Sequence, residues 1–211
     1  GVQALQAYAP GKPMAELERE LGISNIIKLA SNENPLGCSV LAQEAVKDCL
    51  KDIALYPDGN GFALKKALSE KLGFSQDRII LGNGSNDILE LIARVFLNEN
   101  TSAIFSEYAF AVYPLAVQAV GAKAKISKAK DWGHDLSAML KMIDGDTSVI
   151  FIANPNNPTG TYLNKSELLG FLEQVPSNII VVLDEAYFEY VKENDYPNGL
   201  ALLERFSNLI I

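Results

Sequence analysis

A mainly parallel α/β sheet with helices on both faces is the fold that this 211-residue sequence predicts. Two apolar, β-branched runs, VIFIA (residues 149–153) and IIVVL (residues 179–183), have the composition of strands buried on both sides. Each gives way at its carboxyl end to a polar motif, NPNNPTG (residues 154–160) after the first and DEAY (residues 184–187) after the second. An amphipathic spacer of helical length lies between them. Open α/β sheets hold their ligands just outside the carboxyl ends of the strands, which makes both motifs candidate binding residues.

The remaining elements follow in chain order. Residues 1–28 have little periodicity beyond a helical stretch at Met14–Leu21, and Pro10, Gly11 and Pro13 make the start an extended arm. IIKLASNENPLG (residues 26–37) reads as a short strand running into a turn. Leu41, Ala45, Cys49 and Ile53 recur every four residues and predict a helix over 40–55 with one buried face. Pro57 then biases Tyr56 out of the helical region, onto a loop. A helix at Phe62–Leu72 follows. From Arg78 a strand leads through Gly82 and Gly84 into a helix, because Ile88, Leu91, Ile92 and Val95 have helical spacing. A strand over 102–108 precedes an apolar helix over 109–120 that Pro114 should kink or delay. AKAKIS (residues 122–127) alternates as a half-exposed strand does, with Lys123, Lys125, Lys128 and Lys130 as a solvated face. A helix over 136–143 leads into the first apolar strand. After DEAY come a polar loop (190–199), a short helix (200–206) and a β-rich run, NLII (208–211).

Composition excludes several classes. At 48% hydrophobic and 21% charged the chain buries a sizeable core and is not disordered. A net charge of -8 opposes a phosphate backbone, so no nucleic-acid partner is expected. With no apolar run of membrane-spanning length and no signal-peptide pattern, neither insertion nor secretion is expected, and the location implied is cytoplasmic. Cys38 and Cys49 lack metal-ligand spacing and read as reduced, core-facing thiols, so no metal is expected. His134, in DWGHD, reads as a solvated loop residue with no catalytic role.

The two motifs narrow the ligand. A strand-end carboxylate, Asp184, can pair with a protonated ring nitrogen, while the amide of Asn157 and the phenol of Tyr187 can hydrogen-bond an anionic ring oxygen. Pyridoxal 5'-phosphate offers both groups, together with a phosphate and a flat face. The glycine turn before the helix at residue 85 aims free N–H groups and a helix dipole at one spot, and Gly84, Ser85 and Asn86 are the candidate phosphate donors. A dinucleotide fingerprint would need a third glycine where Asp87 stands. Tyr108, at the end of a strand, can lie flat on the cofactor ring; Phe110 and Tyr113 are alternatives as core.

In these motifs the sequence resembles the fold-type I pyridoxal-phosphate aminotransferases of class II, over nearly all of its length but only a little over half of a typical member. The resemblance implies a pyridoxal-phosphate-binding large domain at 37–211, incomplete, preceded by an arm and entry turn at 1–36. It also implies a homodimer with shared active sites. In that family an aromatic in a Y-x-P-G arm, matched by Tyr8, crosses to the neighbouring subunit to close the substrate pocket. An N-x-N-P turn, matched by Asn34, lies against the substrate, and a Tyr-Pro, matched by Tyr56, reaches the phosphate across the dimer. Asn86-Asp87 departs from the usual Asp-Glu of the phosphate turn, and Ser106-Glu107 departs from the residues that usually precede the aromatic plate.

The amino donor implied is histidinol phosphate, with 2-oxoglutarate as the 2-oxo acid. Another donor such as an aromatic amino acid, or a related phosphate-bearing decarboxylase substrate, remains open, as does a non-catalytic binding module. The Schiff-base lysine of the family follows the strand that NLII resembles, so it is expected beyond Ile211. The 211 residues alone are expected to be inactive.

Overall fold

A computed structural model describes residues 11–211. They form two compact units, one within Ala9–Leu81 and one spanning Gly82–Ile211.

In the first unit, α1 (Met14–Leu21) and α3 (Phe62–Leu72) have the bounds expected, and each ends on a left-handed glycine, Gly22 and Gly73. α2 (Val40–Cys49) is shorter than its periodicity implied and passes into a 3-10 turn at Leu50–Asp52. None of these helices has a buried residue. The expected buried face of α2 is therefore corrected: Leu41 and Ile53 are exposed, and so are the thiols of Cys38 and Cys49. Neither 26–30 nor 78–81 joins a sheet. Ile79 has extended backbone angles but no ladder partner among the described residues, so β-branched composition made these segments extended without making them strands.

The second unit is a five-stranded sheet in the order β2-β1-β3-β4-β5, with every pairing parallel. The strands are β1 (Ser102–Ser106), β2 (Lys123–Ser127), β3 (Thr147–Ala153), β4 (Ile180–Asp184) and β5 (Leu209–Ile210). Four helices accompany them: α4 (Ser85–Phe96), α5 (Val112–Ala119), α6 (Leu136–Lys141) and α7 (Lys165–Leu172). Because side chains alternate along a strand, each strand feeds two cores. Phe105, Val149, Phe151 and Val182 pack with Leu89 and Ile92 of α4 and with Val112 and Tyr113 of α5. Ile104, Ile150, Ile152, Val181 and Leu183 pack with Met139 of α6 and with Leu168 and Phe171 of α7. Helices thus cover both faces of a parallel sheet, as the sequence predicts.

Local chemistry sets the ends. Pro114 falls in the first turn of α5, where its missing N–H costs nothing, so it starts the helix rather than kinking it. Asn164 opens α7 with a reciprocal cap: its Oδ1 accepts from Glu167 N at 3.0 Å, and Glu167 Oε2 accepts from Asn164 N at 2.9 Å. The expected helix over 200–206 is only a 3-10 turn at Gly199–Leu202. On the edge strand β2, Lys125 is not solvated as expected. It donates to Asp146 at 2.6 Å and Thr147 at 3.1 Å and also pairs with Asp144, tying β2 to the loop before β3.

Candidate functional site

The carboxyl ends of β3 and β4 lie side by side, with Ala153 opposite Asp184, so NPNNPTG and DEAY begin next to each other. Asn154 N donates to Asp184 O at 2.9 Å across the join. The buried Asn154 side chain then staples its own turn, donating to Leu163 O at 3.2 Å and accepting from Leu163 N at 2.8 Å. The Tyr196 hydroxyl donates to Asn154 O from the loop that follows DEAY.

Asp184 is held from within the core. Tyr113, fully buried on α5 and stacked on Phe151 with centroids 4.9 Å apart, donates its hydroxyl to Asp184 Oδ2 at 2.9 Å. Burial, reinforced by the Asp184 charge, pushes the Tyr113 phenol far above its usual range, so it stays a donor. Ala186 N donates to Asp184 Oδ1 at 3.2 Å. Tyr113, which the sequence offers as a core alternative to Tyr108, is a core residue. Its contact with Asp184 spans 71 positions in sequence, and no local signal announces it.

A cavity of about 240 Å³ opens between the start of α4 and the ends of β4 and β5. Ser85 and Asp184 line it with Ile88, Leu183, Ala186 and Ile211. Its wall is mostly apolar, and the start of α4 has no side-chain cap. Gly84 occupies the N-cap with φ 76°, a conformation that suits glycine, and has no side chain with which to cap the helix. Asp87, where the sequence departs from the family's usual residue, closes this turn: its Oδ2 accepts from both Asn83 N and Asn83 Nδ2 at 2.9 Å. Those donors hold its carboxyl below the usual range. At Gly82 a Cβ would stand 3.0 Å from Asp87 Cβ and 2.9 Å from Ile88 Cδ1, so the turn is closely packed against the first residues of α4.

Tyr108 follows β1 and is tied to NPNNPTG through its carbonyl, which accepts from Asn156 Nδ2 at 2.8 Å. Its ring meets Trp132, with centroids 5.0 Å apart. Asn156 itself is buried, and its Oδ1 has no hydrogen-bond partner among the described residues. Asn157, next to it, is half-buried, as is Tyr187, whose ring lies 6.3 Å from that of Tyr190. Glu185 turns toward Gly199, accepting its N–H at 3.1 Å, and burial raises its carboxyl to about 7.

His134 is not the solvated residue expected. Its Nε2–H donates to Ala153 O at 2.8 Å, while Nδ1 is buried without a partner among the described residues, and burial lowers its pKa. Of the other predicted site residues, Asn34 and Tyr56 belong to the first unit. Asn34 Oδ1 caps its turn by accepting from Leu36 N at 3.0 Å, and Tyr56 is fully exposed. Tyr8 lies outside the described residues.

A parallel sheet thus places the start of a helix and a strand-end carboxylate on one apolar cavity of an α/β domain. The chain belongs to the aminotransferase class I and II family, which matches residues 24–211. Along its whole length it is 58% identical to histidinol-phosphate aminotransferase 2 of Pseudomonas fluorescens and 54% identical to histidinol-phosphate aminotransferase 1 of Mannheimia succiniciproducens. It spans 58% of each of those proteins. Among solved structures it is similar to histidinol-phosphate aminotransferase from Sinorhizobium meliloti in complex with pyridoxal-5'-phosphate. That likeness has a TM-score of 0.88 and 25% identity over 99% of this chain and 55% of the other.

Proposed function

We propose that this chain is the cofactor-binding part of a pyridoxal-phosphate enzyme that moves an amino group between L-histidinol phosphate and 2-oxoglutarate. The relatives named histidinol-phosphate aminotransferase support amino transfer and the amino donor. The observation that carries the cofactor assignment is the shared cavity, whose lining includes both Ser85 and Asp184. It suits a molecule with an anionic group at one end, a basic ring nitrogen at the other and an apolar body between.

When bound, the cofactor supplies an electron sink for the substrate's Cα. The chain's own residues have the following parts. Asp184 pairs with the ring N–H and keeps that proton in place, and the Tyr113 hydroxyl fixes the orientation of the carboxylate. The N–H groups of Gly84, Ser85 and Asn86 bind the phosphate. Asn157 and Tyr187 donate to the ring oxygen, and Tyr108 stacks on the ring.

The enzyme is read as a cytoplasmic homodimer, with Tyr56 and Tyr8 serving the site of the other subunit and Asn34 lying against substrate. Exposed apolar residues in the first unit, Leu29 at 94% and Leu36 at 93% among them, support such an interface. No helix among the described residues is long and apolar enough to cross a membrane.

The test is pyridoxal-phosphate loading of the product of the complete gene, borohydride reduction and peptide mapping, followed by donor screening. One pyridoxyl group on a single lysine, with turnover of histidinol phosphate, is the expected result. No specific adduct removes the cofactor assignment, and an adduct with turnover of another amine only replaces the donor.

A further inference from the structure

Trp132 stands in a conformation that a bulky residue rarely adopts, and in a place where its indole is poorly protected. Lys130 and Gly133 exchange backbone hydrogen bonds at 3.2 and 2.8 Å, closing a two-residue turn whose central residues, Asp131 and Trp132, have φ of 50° and 65°. Such turns favour Asn-Gly or Asp-Gly, because only small or special residues sit easily at positive φ. Trp132 is also 65% exposed. Strain of this kind persists where surrounding contacts over-determine it, and here they do. Glu107 accepts from Lys128 Nζ and Ala129 N, both at 2.9 Å, just before the turn. Thr161 Oγ1 crowds Gly133, where a Cβ would lie 3.3 Å away, and His134 Nε2 anchors the next residue to Ala153 O. The described ring contact that results is the one with Tyr108.

We propose that Trp132 is a positioning residue for Tyr108, holding the phenol from one face so that the opposite face is presented to a flat cofactor. The inference rests on the reading of Tyr108 as the cofactor's plate. A ring has two faces, and the indole of Trp132 leans on Tyr108 at an interplanar angle of 37°. Tyr108's backbone is fixed independently by Asn156, so the remaining freedom is rotation of the ring, and the indole restricts it. This gives the Glu107-Lys128 pair and the buried His134 a purpose that neither has as an isolated loop contact: they mount the turn that carries Trp132.

The experiment uses the complete protein, stripped of cofactor and titrated with pyridoxal phosphate. Affinity and the induced circular dichroism of the bound chromophore are both read. Trp132→Gly turns the sequence into a favoured Asp-Gly turn and removes the indole while keeping the backbone. It is expected to weaken binding by about two- to tenfold and to change the dichroism, with Trp132→Phe within about twofold of the parent. Trp132→Leu, apolar but not planar, provides the same comparison should the glycine variant not yield folded protein. Tyr108→Ala weakens binding too, and adding Trp132→Gly to it should weaken binding no further, since Trp132 acts through Tyr108. If the Trp132 variants bind like the parent, or lose as much affinity in the Tyr108→Ala background as alone, the proposal is wrong while the plate reading stands. If Tyr108→Ala itself binds like the parent, the plate reading fails and the proposal with it.

Discussion

Helices α2 and α4 both carry apolar side chains at helical spacing and meet opposite fates. In α2, Leu41, Ala45 and Cys49 line one side, and no residue of the helix is buried. In α4, Leu89, Ile92 and Ala93 are buried against Phe105, Phe151 and Val182 of the sheet. Periodicity places a helix without fixing its covered face: Leu91 and Val95, which carry the spacing in α4, are exposed, while Leu89 and Ala93 are buried. Whether cover exists depends on pairing between distant strands, and among the described residues those strands all lie in the second unit. Stability should therefore be concentrated in Gly82–Ile211, with residues 11–81 contributing little per side chain.

The strongest way to break that contrast is Phe151→Ala. Phe151 is wholly buried in β3 beneath Tyr113, so its removal leaves a cavity and should cost about 3–5 kcal/mol of unfolding free energy, read from urea denaturation. A loss below about 1 kcal/mol would mean that the sheet core is not the cooperative unit.

Next in size is Tyr113→Phe, which keeps the ring and removes only the donor to Asp184. A carboxylate beside the core that loses its hydroxyl partner should cost about 1–3 kcal/mol. The same variant should weaken pyridoxal phosphate binding by the complete protein, because an unanchored Asp184 no longer keeps its bearing. An unchanged unfolding midpoint would show that water replaces the phenol there, and that the end of β4 is more open than the buried ring beneath it implies.

How much of this was legible in sequence follows from the same contrast. The two apolar runs, the motifs after them and the spacer between them translate directly into β3, β4 and α7, since a strand buried on both faces has one composition and few alternatives. Ile26–Ile27 and Ile79–Ile80 have that composition as well, yet join no ladder. A strand is a property of a pair, and single-sequence reading sees only one member. The site divides the same way. Asp184 and NPNNPTG are local motifs at strand ends, whereas Tyr113, His134 and Trp132 act through contacts 71, 19 and 24 positions away. His134 looked solvated because its neighbours are polar, and its actual partner is a backbone carbonyl of β3, which no side-chain pattern encodes.

A smaller effect tests whether local capping matters even inside the well-packed unit. Asn164→Ala removes one half of the reciprocal cap on α7 and should cost about 1 kcal/mol. Asn164→Asp, which keeps an acceptor for Glu167 N, should recover most of it. If the alanine variant is silent in thermal unfolding, α7 is held entirely by Leu168 and Phe171, and the packing contrast is sharper still.

The smallest expected effect is the most informative about the first unit. Leu41 is 77% exposed on α2, so Leu41→Ala removes little buried area and trades one good helix former for a better one. In the 211-residue chain its unfolding free energy should move by no more than about 0.5 kcal/mol, in either direction. In the complete protein the same substitution reads something else: a face this apolar, left open here, is where a subunit contact would bury it. A silent variant in the short chain that lowers the thermal midpoint of the long one, and does so in a concentration-dependent way, would show that α2 is stabilised by association rather than by its own unit. A loss of 2 kcal/mol or more in the short chain, about the value for a buried leucine, would show that α2 finds cover within these 211 residues. In that event the contrast with α4 disappears.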